Sequence, residues 1–385
     1  MKKIQVWARF RKRREMRNMM RDAGNVENKE KQYTVVAWIC LILALLFQVI
    51  ARNVPGFADW YAHHTYPLIV GSVGRVFGWF PFSVSEFGIY VIVVVGTGWL
   101  IGQIRARKPW RMRLLRRMCL TATLLFFLYT MNCGINYHAR AFSEYAGIET
   151  GRYTTEELAD LCEFLTEKVN ENAPVSEEDW EKNFSYKNKK WEWQREEICA
   201  MQAVGEHYPE LAGFYPRAKQ VTVSEILSIQ QLSGIYSPFT VEANYNRAMT
   251  DYNIPHTICH ELSHLKGFMR EDEANFIACL ACSFSEDRAF RYSGYLLGWI
   301  HATNALADVD RDAYQKCVVR LETEVREDLA RNNQFWDRYD TKTAKVANQI
   351  NDTYLKANLQ EDGVKSYGRV VDLMLAYRKL EKRGE

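Results

Sequence analysis

Three stretches without a charged residue, Thr34–Ile50, Phe87–Ile104 and Met118–Tyr137, constrain this 385-residue chain more than any other feature. Each approaches the roughly 20 apolar residues that a helix needs to cross a bilayer. The first run begins 33 residues in and no small-residue cleavage site follows it, which argues against a signal peptide. The chain therefore divides into a basic segment (residues 1–32), a membrane domain with three transmembrane helices (33–137, spans at about 34–50, 87–104 and 118–137) and a soluble-looking domain (138–385).

Flanking charge sets the direction of the spans. A basic block with Arg9, Arg11, Lys12, Arg13, Arg14, Arg17 and Arg21 precedes the first, and Arg105, Arg107, Lys108, Arg111, Arg113, Arg116 and Arg117 separate the second from the third. Between the first two spans only Arg52 and Arg75 are basic. Positive charge is retained in the cytoplasm, so the N-terminus and the 105–117 loop lie inside and everything from about residue 138 lies outside the cytoplasmic membrane. The basic N-terminal block suits anionic lipid. The glycine-rich, aromatic loop Val54–Val84 is expected on the outer interface rather than as a fourth span, because a fourth span would reverse the last domain.

Lys+Arg (50) and Asp+Glu (47) nearly balance, so bulk charge implies no nucleic-acid partner; the expected partners are the lipid bilayer and a peptide or protein substrate outside the cytoplasm. Nine cysteines, an odd number, argue against a complete disulfide framework. Cys279 and Cys282 form a CxxC inside an apolar segment with no second CxxC nearby, which reads as packed helix.

The last domain is mainly α with a small sheet. Thr154-Thr-Glu-Glu157 has capping-box spacing, with Leu158, Leu161, Cys162 and Leu165 following at helical intervals. A second helix is predicted from Ser176 to about Gly205 and a last one over Tyr367–Glu381. Strands are predicted at Lys219–Val223 and Phe239–Asn246; in the second, alternation puts Phe239, Val241, Ala243 and Tyr245 on one face and Glu242 and Asn244 on the other.

The chemistry concentrates in Pro255-His-Thr-Ile-Cys-His260-Glu261-Leu-Ser-His264-Leu-Lys-Gly267. His260, Glu261 and His264 spell HExxH. Side chains four apart share one helix face, so two imidazoles can converge on one metal ion, and Glu261 can reach a water beside it. Pro255 suits the helix start and Gly267 its stop. A catalytic zinc site needs a third protein ligand and an open position. Glu271-Asp-Glu273-Ala274-Asn275 follows at once, with three acids in the first turn of another helix, and Ala274, Ala278 and Ala281 keep that helix slim enough to pack closely.

HExxH followed by a helix reading ExxAN resembles the gluzincin metallopeptidase plan, and Glu271–Ala278 is similar to the glutamate helix of bacterial anti-repressor and stress-response zinc peptidases. The resemblance implies a zincin-like domain binding one Zn2+ through His260, His264 and Glu271, with Asn275 orienting a ligand histidine. Glu271 follows His264 by only seven positions, short for that plan, and Glu273 is a competing third ligand. The whole chain also resembles an uncharacterised bacterial membrane family, domain of unknown function 3810, through SGIYSPFTVEANYN, CHELSH, REDEANF and YLKANLQEDGVKSYGRVVDL.

Other residues rank lower. His256 shares a face with His260, as a further ligand, a substrate contact or a near-surface helix-start histidine. Cys259 points off the metal face. Tyr367, at a helix start, is an oxyanion contact or a packed tyrosine. The strand Phe239–Asn246 precedes the metal helix, where zincins place an edge strand that pairs with substrate. The expected activity is peptide-bond hydrolysis by metal-activated water with Glu261 as general base. Two alternatives are a non-catalytic signalling or scaffolding protein with a structural metal site, and a transport or envelope-assembly component; uncharged spans argue against the latter.

Overall fold

A computed structural model of the chain describes residues 31–105, 111–358, 360 and 369–384. The first helix, α1, is Lys31–Asn53. Helical turns continue over residues 57–78 (α2), with wider π-turns at Tyr61–Thr65 and Val70–Gly74. Helix α3 is Val84–Arg105 and α4 is Arg111–Tyr129. Lys31–Asn53, Val84–Arg105 and Leu114–His138 are long and apolar enough to cross a membrane. Their apolar side chains face outward: Trp38 is 60% exposed and Val94 71%. Water would not tolerate so continuous an apolar surface, whereas lipid does.

The chain separates into two compact units, one holding the apolar lengths of α1, α3 and α4, the other made of residues 51–89 and 132 onward. Residues 51–89, grouped with the membrane segments on sequence grounds, thus share a unit with the metal motif.

In that second unit the helices are α5 (Thr155–Asn172), α6 (Glu177–Asn183), α7 (Tyr186–His207), α8 (Glu225–Ile229), α9 (Asn253–Lys266), α10 (Glu271–Phe284), α11 (Arg288–Val309), α12 (Arg311–Arg320), α13 (Thr323–Asp337), α14 (Lys342–Ala357) and α15 (Arg369–Arg383). The capping box at Thr154 forms as expected, with Glu157 N–H donating to Thr154 Oγ1 at 3.2 Å. The helix expected over 176–205 breaks at Phe184–Ser185. There Phe184 turns into the core against Tyr292, and Asp251 accepts the freed Tyr186 N–H at 2.9 Å. The core gathers Trp193, Met201, Ile254, Phe276, Phe290 and Tyr292.

Three short strands, β1 (Lys219–Gln220), β2 (Gly234–Ser237) and β3 (Glu242–Tyr245), form a sheet in the order β1-β3-β2. β3 pairs parallel with β1 (Lys219↔Asn244) and antiparallel with β2 (Ile235↔Asn244). The sequence offers β1 and β3 but not β2, and it expects β3 at an edge. Among the described strands β3 is central, and β1 and β2 are the two edges.

Glu242 does not point to a polar exterior, as alternation implied; it is 3% exposed. Its carboxylate meets the Lys219 ammonium and accepts Thr240 Oγ1–H at 2.7 Å. It also accepts the backbone N–H groups of Val84 (3.1 Å) and Ser85 (2.9 Å), capping the first turn of α3. In return Glu86 accepts the N–H groups of Thr222 (2.8 Å) and Val223 (2.9 Å). The glycines of the inter-span loop serve the same docking: a Cβ on Gly74 would lie 3.5 Å from Val241 Cγ1, and one on Gly78 3.2 Å from Pro216 Cβ. Glycine lets α2 lie directly on the sheet region.

Glu242→Ala leaves the Lys219 ammonium buried and two helix-start amides unsatisfied. It is expected to cost about 3–5 kcal/mol, with Lys219→Met/Glu242→Leu recovering the part due to the unpaired ammonium but not the part due to the amides. Unfolding of the full chain in neutral detergent measures this; a loss below about 1 kcal/mol would show that other groups hold the strand.

Candidate metal centre

Helix α9 carries the motif and ends where the sequence indicates. Gly267 takes φ 110°, a left-handed stop that only glycine adopts without strain. Gly267 N–H then bonds His264 O (2.9 Å) and Phe268 N–H bonds Ser263 O (3.1 Å). This reversal brings the Phe268 carbonyl to His264 Nδ1, at 2.8 Å. Helix α10 begins at Glu271 and packs on α9, and its Ala274, Ala278 and Ala281 are all fully buried.

The reversal sets Glu271 against both histidines. His260 Nε2 lies 3.3 Å from Glu271 Oε2, and His264 Nε2 lies 3.6 Å from Glu271 Oε1. One ligand atom from each of the three residues falls within 4.8 Å of the others. The other ring nitrogens are committed: His260 Nδ1–H donates to Asn275 Oδ1 (3.0 Å) and His264 Nδ1–H to the Phe268 carbonyl. Each Nε2 therefore presents a lone pair, and the carboxylate presents more. Four acceptor atoms in one buried spot repel one another unless a cation or proton lies between them. This donor set fits a divalent metal of the zinc type, with Nδ1 anchors orienting both imidazoles.

The protonation balance of the protein without metal reflects the same conflict. Burial pulls the His260 imidazole down, but hydrogen bonding and charge from Glu271 more than offset it and leave it above its ordinary value. Burial pushes His264 down to about 4. Glu261 is pushed up to about 8, first by burial and then by the Glu271 charge, against the opposing pull of His260 and of the Tyr236 N–H that its carboxylate accepts. Its Oε2 has no hydrogen-bond partner among the described residues.

Strand β2 runs directly over this carboxylate. A Cβ on Gly234 would sit 2.5 Å from Glu261 Oε1, so glycine is required there. Tyr236 in the same strand shares a 2.8 Å hydroxyl contact with Tyr66 of α2, and Tyr66 OH donates to the Leu265 carbonyl at 3.0 Å. The inter-span segment thus holds both the edge strand and the end of the metal helix.

The remaining candidates separate. Glu273 accepts the N–H groups of Phe142 and Ser143 and faces Arg270 (3.8 Å), away from the imidazoles. His256 is buried rather than near the surface; its Nε2 faces Cys279 Sγ at 3.5 Å and its ring also bonds the Asn275 carbonyl. Cys259 and Cys282 are fully buried, and all nine cysteines are free thiols. Tyr367 lies outside the described residues. Sequence reasoning passed over Gly234, Tyr236, Tyr66 and His301, an imidazole on α11 near enough to His256 and His260 for their charges to interact. Gly234 and Tyr236 fall within the SGIYSPFTVEANYN segment that marks the family resemblance, but only the tertiary fold brings the four to HExxH.

The raised Glu261 value has a stability consequence with a definite sign. Between its ordinary 4.5 and about 8 the folded chain keeps a proton that the unfolded chain has released, so stability falls as pH rises through that window. In chelator-treated protein, Glu261→Gln is expected to unfold above wild type at pH 8, by on the order of a few kcal/mol, and to match it near pH 5. Melting curves at the two pH values check this; a gap independent of pH would count against a protonated buried carboxylate.

Neither the curated proteins nor the solved structures contain a match to this chain. A family profile does match, from within α2 to within α15, and so takes in the inter-span segment together with the triad. Over residues 61–375 the chain belongs to the family described as Protein of unknown function (DUF3810).

Proposed function

We propose that this chain is a membrane-anchored zinc metallopeptidase with a zincin-like second unit held outside the cytoplasm. The carrying observation is Glu261. A structural metal site has no use for a buried carboxylate beside the ligand set with one oxygen unpartnered, whereas a hydrolase needs a base at that place. Bound by His260, His264 and Glu271, Zn2+ would supply Lewis acidity that activates water and polarises a carbonyl.

The residues of the chain do the rest. Glu261 Oε2 takes a proton from water and delivers it to the leaving amine, and its high proton affinity suits that exchange near neutral pH. Asn275 Oδ1 and the Phe268 carbonyl keep both imidazoles in the Nδ1–H tautomer. The open edge of β2, where Ile235 is exposed, suits backbone pairing with an extended peptide.

The orientation gains support from the fold. Three spans put the inter-span segment and everything after the third span on one side of the bilayer, and those two stretches share a compact unit. The basic clusters around residues 9–21 and 105–117 assign that side to the exterior. A second reading, a scaffold with a structural metal, is favoured by the low exposure of the triad, 10–16% per side chain.

Full-length protein in detergent is expected to carry about one zinc per chain, lost in His264→Ala. Glu261→Gln should keep the metal and lose peptide hydrolysis roughly 10²–10⁴-fold, read on a fluorogenic peptide library. Zinc with unchanged function in Glu261→Gln would establish the scaffold; absence of zinc from folded wild type would sink both.

A further inference from the structure

A cavity of ≈ 270 Å3 lies between α2 and the end of α9, and none of His260, Glu261, His264 or Glu271 lines it. One wall is apolar: Pro67 and Val70 of α2 with Phe214. The polar lining includes Lys266, Arg140 and Glu210. Arg140 is already engaged, its Nε 3.2 Å from Asp59 Oδ2 and its guanidinium 4.7 Å from the Tyr145 ring centroid. Lys266 is different. Its ammonium rests 4.7 Å from the Tyr215 ring centroid, and it forms no ion pair among the described residues. Gly213, at φ +109°, makes room for it, since a Cβ there would lie 3.2 Å from Nζ.

A half-buried ammonium without a counter-ion is costly, and the cost falls when an anion enters the space beside it. The apolar wall selects anions that carry an apolar substituent. We propose that this cavity is a binding site for a singly charged phosphate ester bearing an apolar chain, the chemistry of an anionic phospholipid headgroup.

The geometry of α2 favours a lipid source over a free phosphate. The face that does not pack on the domain exposes Leu68 (71%), Val76 (52%) and Trp60 (53%), with Trp79 (81%) just beyond it. Links of three and five residues (54–56 and 79–83) join α2 to α1 and α3, both long and apolar enough to cross a membrane. A chain so tethered stays within about 20 Å of the ends of those helices, where headgroups lie.

The test uses full-length, chelator-treated protein in a neutral detergent, so its outcome is separate from that of the peptidase reading. Dioctanoyl phosphatidylglycerol is expected to bind saturably, dioctanoyl phosphatidylcholine at least tenfold more weakly, and Lys266→Met to weaken the phosphatidylglycerol at least tenfold. In wild type, the same lipid should protect Lys266 from amine acylation, read by peptide mass spectrometry, which needs no variant to fold. Competition by inorganic phosphate at equal concentration would keep the anion site and assign it a soluble source. Equal binding of both lipids, or no protection of Lys266, would overturn the proposal.

Discussion

The arrangement around His260, His264 and Glu271 depends on a repulsion. Both Nδ1 atoms are spent on carbonyl-type acceptors, so both Nε2 lone pairs face a carboxylate in a buried space. Without a metal, a proton between His260 and Glu271 relieves part of that repulsion, and the backbone that presents the cluster holds the rest in place. Three devices do the holding: the left-handed turn at Gly267, the packing of α10 on α9, and the Tyr66 hydroxyl on the Leu265 carbonyl. The stability of the surrounding core makes a conflicted site tolerable, a pattern expected where function rather than folding chose the residues.

Glu261 belongs to the same economy of burial. Its neighbour strand offers one N–H, from Tyr236, and glycine at 234 allows the approach. One oxygen is satisfied and the other is not. That asymmetry orients the carboxylate while leaving an atom able to exchange a proton, which a fully bonded carboxylate would do poorly.

Local signals in the sequence were read well, and non-local ones were not. The apolar runs, the capping box at Thr154, the glycine stop at 267 and the helical register of HExxH all express themselves within a few residues, and each appears in the fold. The alternation of Phe239–Asn246 misled because β3 is the central strand, so Glu242, Ala243, Asn244 and Tyr245 are all buried and polarity no longer reports a face. Strand β2 escaped notice because it is only four residues long and begins with a glycine that serves Glu261. His256 was expected near the surface because helix starts usually are, but α9 is buried on nearly every side. The role of Tyr66 could not be read at all, since its partners lie 170 and 199 positions away.

The reciprocal capping between the start of α3 and the sheet has a bearing on biosynthesis. Glu86 and the amides of Val84 and Ser85 are made early, whereas their partners at Thr222, Val223 and Glu242 emerge after the last apolar helix. A chain leaving the ribosome therefore carries a half-built domain while its third apolar helix is still being made, with Tyr66 and the glycine face of α2 waiting for a surface. Completion of the His260–His264–Glu271 cluster thus waits on chain segments from both sides of the third apolar helix, and a fragment beginning at residue 138 would lack the helix that braces both β2 and the end of α9. The segment between the first two apolar helices is in this sense a component of the second unit's tertiary structure rather than a link between spans.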